Sequence, residues 1–260
     1  MKDIPKLGLG FWQIEKSDAK RVFLEGYEVG YRHFDTAIIY GNESEIGDAI
    51  KELKPNREEI WLTSKIPAEI KSYKKAKKAI DESLERLGVE YLDLMLIHAP
   101  KPWVFMFMPG PRYHKGNREV WRAMVDAKKE GKIKNLGVSN FNVNDIKNIT
   151  EYSNEPIYVN QILIHVGRVP KEVINYCQNN NILVEAYSPL GVGKLLKNEK
   201  VIEMAKKNNV SPAQLCIKYV DSLGTIPLPR SRSKKHMENN FHFDFKLSIE
   251  DKEQLDKMKI

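Results

Sequence analysis

Four residues of the chain have types and spacings that could move a proton: Asp35, Tyr40, Lys65 and His98. Asp35 closes the short extended run His33–Asp35, and Tyr40 lies in the loop behind it. Lys65 ends the apolar run Ile60–Lys65, and His98 follows Leu92–Ile97. A phenol by itself titrates near about 10 and is a slow proton donor at neutral pH. An ammonium beside it favours phenolate and lowers its pKa. A carboxylate on the other flank of the lysine keeps that ammonium charged, and an imidazole beside the phenol can hold a carbonyl oxygen. The set suits proton donation to a developing alkoxide. It supplies no Ser-His or Cys-His nucleophile and no metal cluster, so a hydride cofactor is the natural source of the attacking electron pair. Taken singly, Asp35 reads as a helix cap, Tyr40 as packing and His98 as an ordinary hydrogen-bonding residue. Lys65 resists that treatment, because an ammonium leaving water without a partner is costly.

These side chains meet only if the strands that carry them lie side by side. Tyr40, Lys65 and His98 follow one another at intervals of about 30 residues, the length of one strand–helix unit. The whole chain keeps that alternation. Extended runs are expected at 7–10, 33–35, 60–65, 92–97, 133–138, 157–161, 183–187 and 225–228. Helical patterns are expected at 18–30, 43–54, 73–87, 118–130, 144–152, 171–180, 199–208, 212–223, 234–241 and 249–258. Ser17 or Asp18 would cap the first helix. Asn42 with Glu45, and Ser248 with Asp251, stand at capping-box spacing, and Ser211-Pro212 opens another helix. This is the cadence of an α/β protein built as a single (β/α)8 TIM barrel spanning 1–260, with an additional C-terminal helix. A doubly wound sheet would need a third glycine after Gly8-Leu9-Gly10, where Phe11-Trp12 stand instead. In a barrel the polar residues at strand ends gather at one mouth.

Composition fits that reading. Of 260 residues, 42% are hydrophobic and 30% charged, which excludes collagen-like, disordered and coiled-coil chains. No apolar run approaches the roughly 20 residues of a membrane span. The short stretch Met1–Pro5 leaves no room for a signal peptide, and Cys177 and Cys216 fall in separate helical patterns, so a reduced cytoplasmic protein is expected. Net charge is +7, which would suit an anionic cofactor as well as a nucleic acid. The densest basic run, Lys71 to Lys78, interleaves only Tyr73 and reads as a solvated helix face, not a nucleic-acid platform. A small-molecule substrate is expected as partner, with neither nucleic acid nor membrane, on a monomer or weak homo-oligomer.

At these residues the sequence resembles the aldo-keto reductases. The resemblance is carried by Gly30-Tyr31-Arg32-His33-Phe34-Asp35-Thr36-Ala37 with Tyr40-Gly41-Asn42-Glu43, by Leu62-Thr63-Ser64-Lys65, and by Asp93-Leu94-Met95-Leu96-Ile97-His98. Gly137-Val138-Ser139-Asn140-Phe141, Asn160-Gln161 and Ala186-Tyr187-Ser188-Pro189-Leu190 follow in order. It implies NADPH-dependent reduction of an aldehyde or ketone, with Asp35, Tyr40, Lys65 and His98 as the catalytic tetrad and Tyr40 as general acid. It implies Ser139, Asn140 and Gln161 at the nicotinamide carboxamide and Tyr187 stacked on the nicotinamide, with Ser188, Leu190 and Asn240 also against the cofactor. Arg230 and Ser231 fall where the family reads the cofactor's 2′-phosphate. Arg230 replaces the usual lysine and His236 a later arginine, so NADH stands as an alternative cofactor.

Two further features bear on the substrate. The short N-terminus and the stop soon after the last helix imply a more open pocket than many family members have. The loop from Lys101 to Gly116 carries Trp103, Phe105, Met106, Phe107, Met108 and Tyr113. A loop this long and apolar reads as a pocket wall or flap, with Trp103, Phe105, Phe107 and Trp12 facing the substrate. The alternative function is a cofactor-binding barrel with a regulatory or sensory role and little turnover.

Overall fold

The computed structural model describes residues 3–106, 108 and 110–259. In chain order the elements are β1 (Leu9–Gly10), α1 (Lys16–Val29), β2 (His33–Asp35), α2 (Glu43–Leu53), β3 (Trp61–Ile66), α3 (Tyr73–Leu87), β4 (Leu92–Ile97), α4 (His114–Lys129) and β5 (Ile133–Ser139). They continue as α5 (Val143–Thr150), β6 (Val159–Leu163), α6 (Lys171–Asn179), β7 (Leu183–Tyr187), α7 (Glu199–Lys207), α8 (Pro212–Asp221), β8 (Ile226–Leu228), α9 (Lys234–Phe241) and α10 (Ile249–Asp256). The eight strands form one parallel sheet in sequential order from β1 to β8. Backbone bonds from Gly8 N to Pro227 O (3.1 Å) and from Gly10 N to Pro229 O (3.0 Å) bring β8 back against β1. The result is a (β/α)8 barrel with α10 as the extra C-terminal helix. Among the described residues no helix is long and apolar enough to cross a membrane.

Alternation along the strands builds two cores. Outward residues such as Phe34, Leu62, Met95, Ile97, Leu136 and Val138 pack under the helices. Inward residues Trp61, Leu94, Leu96 and Val159 fill the barrel below the strand ends, with Trp61 stacked on Tyr158 at 5.9 Å. β3 and β4 are buried along their whole length, as strands covered on both faces must be. Close approach at the floor needs a glycine. A Cβ on Gly8 would stand 2.4 Å from Leu228 and 2.9 Å from the His33 ring.

The helix starts differ in detail from the sequence expectations. Ser211 and Gln214 do form a reciprocal capping box at α8, and Asn142 with Asp145 forms another at α5. Ser248 Oγ accepts from Asp251 N at α10, but the Asp251 carboxylate is taken by Lys207 and Asn208. No side chain caps α1, and Asp18 pairs with Arg21 instead. Asn42 does not cap α2. Its Nδ2 donates to Phe11 O and Ile14 O, and its Oδ1 accepts from Thr36 Oγ1 at 2.7 Å. Those bonds tie the loop after β1 to the loop that carries Tyr40, and they outcompete the cap. Glu43, the first residue of α2, is buried and accepts from Ser64, Ser83 and Arg86. It thereby fixes α2 against β3 and α3.

Candidate functional site

The carboxyl ends of the strands surround a cavity of about 790 Å³. Asp35, Tyr40, His98, Ser139, Asn140, Gln161, Tyr187, Ser188, Leu190, Arg230, Trp12 and Trp103 all line it. Lys65 lies just behind the wall, fully buried. Its Nζ donates to Asp35 Oδ1 at 2.6 Å and to Thr36 O at 2.7 Å. It also stands 5.2 Å from the centroid of the Tyr40 ring. The Tyr40 hydroxyl is 3.5 Å from His98 Nε2, with the two rings edge to face. The four residues picked from strand ends therefore converge on one point.

The electrostatics of that point pull in opposite directions. Burial pushes the Tyr40 phenol up to about 12, and the Lys65 ammonium opposes the rise without cancelling it. Burial, which the residue types alone do not reveal, therefore outweighs the neighbouring lysine at the phenol. Burial would lower the Lys65 amine, but Asp35 and Tyr40 outweigh it and hold the group above its ordinary value of 10.5. His98 is held well below 6.5 by burial and by the neighbouring ammonium, so its imidazole is neutral. Trp103 meets the His98 ring edge-on at 5.2 Å.

Next to this point lies a strip of polar groups bonded to one another. Ser139 Oγ donates to Gln161 O at 2.9 Å. Asn140 Nδ2 donates to His98 O and to Ser139 Oγ, both at 3.1 Å. The Tyr187 hydroxyl donates to Asn140 Oδ1 at 2.8 Å. Asn140 and Ser188 both have left-handed backbones, with φ of 61° and 53°. Such conformations persist where the surroundings over-determine them. Gln161 Nε2 donates to Asp35 Oδ2 (2.8 Å) and to Glu185 Oε2 (2.7 Å). Its Oε1 is then the polar atom left for a ligand amide. Arg230 stands at the cavity edge and makes one long bond, to Gln13 O at 3.3 Å. A ring wall at Tyr187, an amide acceptor at Gln161 and a lightly engaged guanidinium at Arg230 fit a nicotinamide dinucleotide.

The remaining expected residues lie elsewhere. Ser231 is buried and bonds to the backbone of Ser233, and Asn240 is buried in α9. His236 is exposed on α9. None of the three lines the cavity. Phe105 also falls outside the lining. It is 39% exposed and stacks on Tyr113 at 6.4 Å, while Trp103 is the ring of this loop that sits beside His98. Phe107 lies outside the described residues. Cys177 and Cys216 are free and buried. Sequence reasoning missed Glu185, fully buried in mid-strand. The signal was present: an isolated acid in Leu183-Val184-Glu185-Ala186 poses the same burial problem as Lys65.

Residues 6–260 match the model of the aldo/keto reductase family. Glycerol 2-dehydrogenase (NADP(+)) of Saccharomyces cerevisiae is 37% identical, over 97% of this chain and 86% of that protein. Glyoxal reductase of Bacillus subtilis is 38% identical, over 98% of this chain and 88% of that protein. Among solved structures, the Bombyx mori aldo-keto reductase in complex with NADP superposes with a TM-score of 0.87 at 28% identity, covering 98% of this chain and 89% of that one.

Proposed function

The chain belongs to the aldo/keto reductase family and is an NAD(P)H-dependent oxidoreductase, and from that premise we propose that it reduces an aldehyde or ketone to the alcohol with NADPH. The observation that carries the reading is the convergence of Tyr40 and His98 at 3.5 Å above the buried Lys65–Asp35 pair. NADPH, when bound, supplies the hydride. The chain's own residues handle the oxygen and the proton. A carbonyl oxygen set between the Tyr40 hydroxyl and His98 Nε2 meets two groups that can share hydrogen bonds with it. Because His98 is neutral, it orients the oxygen without competing as an acid. As negative charge grows on that oxygen, Tyr40 gives up its proton and Lys65 stabilises the phenolate left behind. Asp35 keeps Lys65 charged and pointed. Tyr187 offers a ring face and Gln161 an amide acceptor for the nicotinamide, while Arg230 offers a guanidinium for the 2′-phosphate. The lysine-to-arginine exchange there keeps that charge, so NADPH is favoured over NADH. Trp12, Ile39 and Trp103 make the substrate side of the wall apolar.

The test is loss of NADPH absorbance at 340 nm with a panel of aldehydes and ketones. Tyr40→Phe should lower turnover by at least about 10²-fold, the usual contribution of a positioned acid, with cofactor affinity unchanged. Full turnover in that variant would refute the assignment. Absence of turnover by the wild-type chain with every carbonyl would refute the function.

A further inference from the structure

Beneath the cavity floor lies an acid that the proposed reaction does not use. Glu185 faces the barrel interior from β7 and is fully buried. Its Oε2 accepts from Gln161 Nε2, and the second hydrogen of that nitrogen goes to Asp35 Oδ2. The other Asp35 oxygen takes the Lys65 ammonium. One amide nitrogen therefore bridges two carboxyl groups, one of which anchors the lysine. The bridge is directional at its Asp35 end, because an amide nitrogen only donates and the Asp35 carboxylate, which also takes the Lys65 ammonium, only accepts. Turning the amide over would set its oxygen against Asp35. Asp35 and Glu185 together fix which end of Gln161 faces the cavity; Gln161 holds Asp35 from the side opposite Lys65, and Glu185 acts on Asp35 through that amide.

Resting on the reading of Tyr40 as proton donor, we infer that Glu185 is a positioning residue for Asp35 and Lys65, and that a negative charge on it opposes proton release from Tyr40. Charge balance in the sealed interior supports this. Asp35 and Lys65 neutralise one another. An ionised Glu185 adds a charge that is only partly answered, and it acts on the Lys65 ammonium whose field Tyr40 feels. The groups facing it are His33 and Asp35 from β2, Lys65 from β3, Gln161 from β6 and Tyr158 just before β6. The His33 Nε2 stands 3.5 Å from Glu185 Oε1. Burial first, then Asp35, pushes the Glu185 carboxyl up to about 8, against the pull of Gln161 and Lys65. Its proton is then exchanged within the range of ordinary assays. Below that range the interior is balanced and Tyr40 is the better donor; above it, the extra charge makes Tyr40 the poorer one.

The experiment is the pH profile of kcat/KM for NADPH-dependent reduction between pH 6.5 and 9, run on wild type and Glu185→Gln. The glutamine still offers an oxygen to Gln161 Nε2 but carries no charge. Wild type should decline through an inflection near pH 8. The variant should lack that inflection, so that the ratio of variant to wild type rises about fivefold or more from pH 6.5 to pH 9. A constant ratio across the range would overturn the inference, as would an unchanged inflection in the variant. Glu185→Leu, checked for native circular dichroism, removes the acceptor. It should lower kcat at every pH with its KM for the carbonyl little changed; wild-type kcat there would remove the positioning role. Tyr40→Phe run alongside separates the two readings. If Tyr40→Phe turns over normally, the acid assignment has failed. If it is inactive while Glu185→Gln keeps the wild-type profile, the role of Glu185 has failed.

Discussion

Replacing Asp35 by Asn tests the buried pair that the whole site leans on. The change keeps shape and leaves Lys65 with an amide oxygen and Thr36 O as partners. At the observed 2.6 Å, a pair in an effective dielectric of about 20 attracts by about 6 kcal/mol. The loss has a ceiling, because the amine can release its proton. Falling from 10.5 to the solution pH of 7 costs about 5 kcal/mol at 1.36 kcal/mol per unit. Glu185 lowers the loss further, since it can ionise and answer the ammonium through the space that Gln161 spans. Asp35→Asn should therefore lose about 3 kcal/mol, near the lower end for one member of a buried pair. In urea unfolding at pH 7, with a slope of about 3 kcal/mol per M or above for a chain this long, that is a midpoint shift of up to about 1 M. The loss should shrink as pH rises towards 10, where the unfolded lysine also begins to lose its proton. Asp35→Asn with Lys65→Met removes both charges and should recover most of the stability while leaving the chain inactive. A single-variant loss under about 1 kcal/mol, or a double variant no more stable than the single, would show that Lys65 and Asp35 do not depend on each other as described.

Two shorter predictions concern the rim and the imidazole. Arg230→Ala should weaken NADPH binding at least about tenfold in fluorescence titration, the scale of one charge-assisted bond, and leave NADH nearly untouched; equal losses for both would take Arg230 away from the phosphate. His98 is depressed in the folded state, so below pH 6.5 the unfolded chain binds a proton there that the native chain refuses. Stability present above pH 6.5 should be lost as pH falls through that value, and melting temperatures at pH 7.5 and 5 should separate more for wild type than for His98→Gln; identical separations would contradict the buried, neutral imidazole.

The barrel was legible because its strands are buried on both faces and read as apolar runs, each followed by a helical pattern. The catalytic candidates were legible for a related reason: Asp35, Lys65 and His98 interrupt or follow such runs where a polar group has no business unless paired. Glu185 escaped because attention to strand ends passes over mid-strand positions. Asn42 was misread since its competing partners, Phe11 O, Ile14 O and Thr36, are brought to it by tertiary structure, and local spacing carries no trace of them. β1 proved shorter than the expected 7–10: only Leu9–Gly10 pair with β2, although Gly8 N still bonds to Pro227 O. Which aromatic ring of the Lys101–Gly116 loop meets His98 is a packing outcome that composition does not encode, and it is Trp103, with Phe105 against Tyr113.

The line where β8 meets β1 is stitched from one side. Gly8 and Gly10 give hydrogens to the carbonyls of Pro227 and Pro229, and those prolines have none to return. Every other junction in the cylinder pairs strands whose facing residues can both give and take, apart from Pro227 itself. With no hydrogens returned, this line is held by fewer backbone bonds than a junction paired in both directions. Side chains also cross it, from Arg21 to Arg232 O on the helix side and from Arg230 to Gln13 O on the cavity side, and Arg230 and Gln13 both border the cavity. A molecule that touches both would span the seam from the inside, and its binding would favour the closed cylinder by mass action.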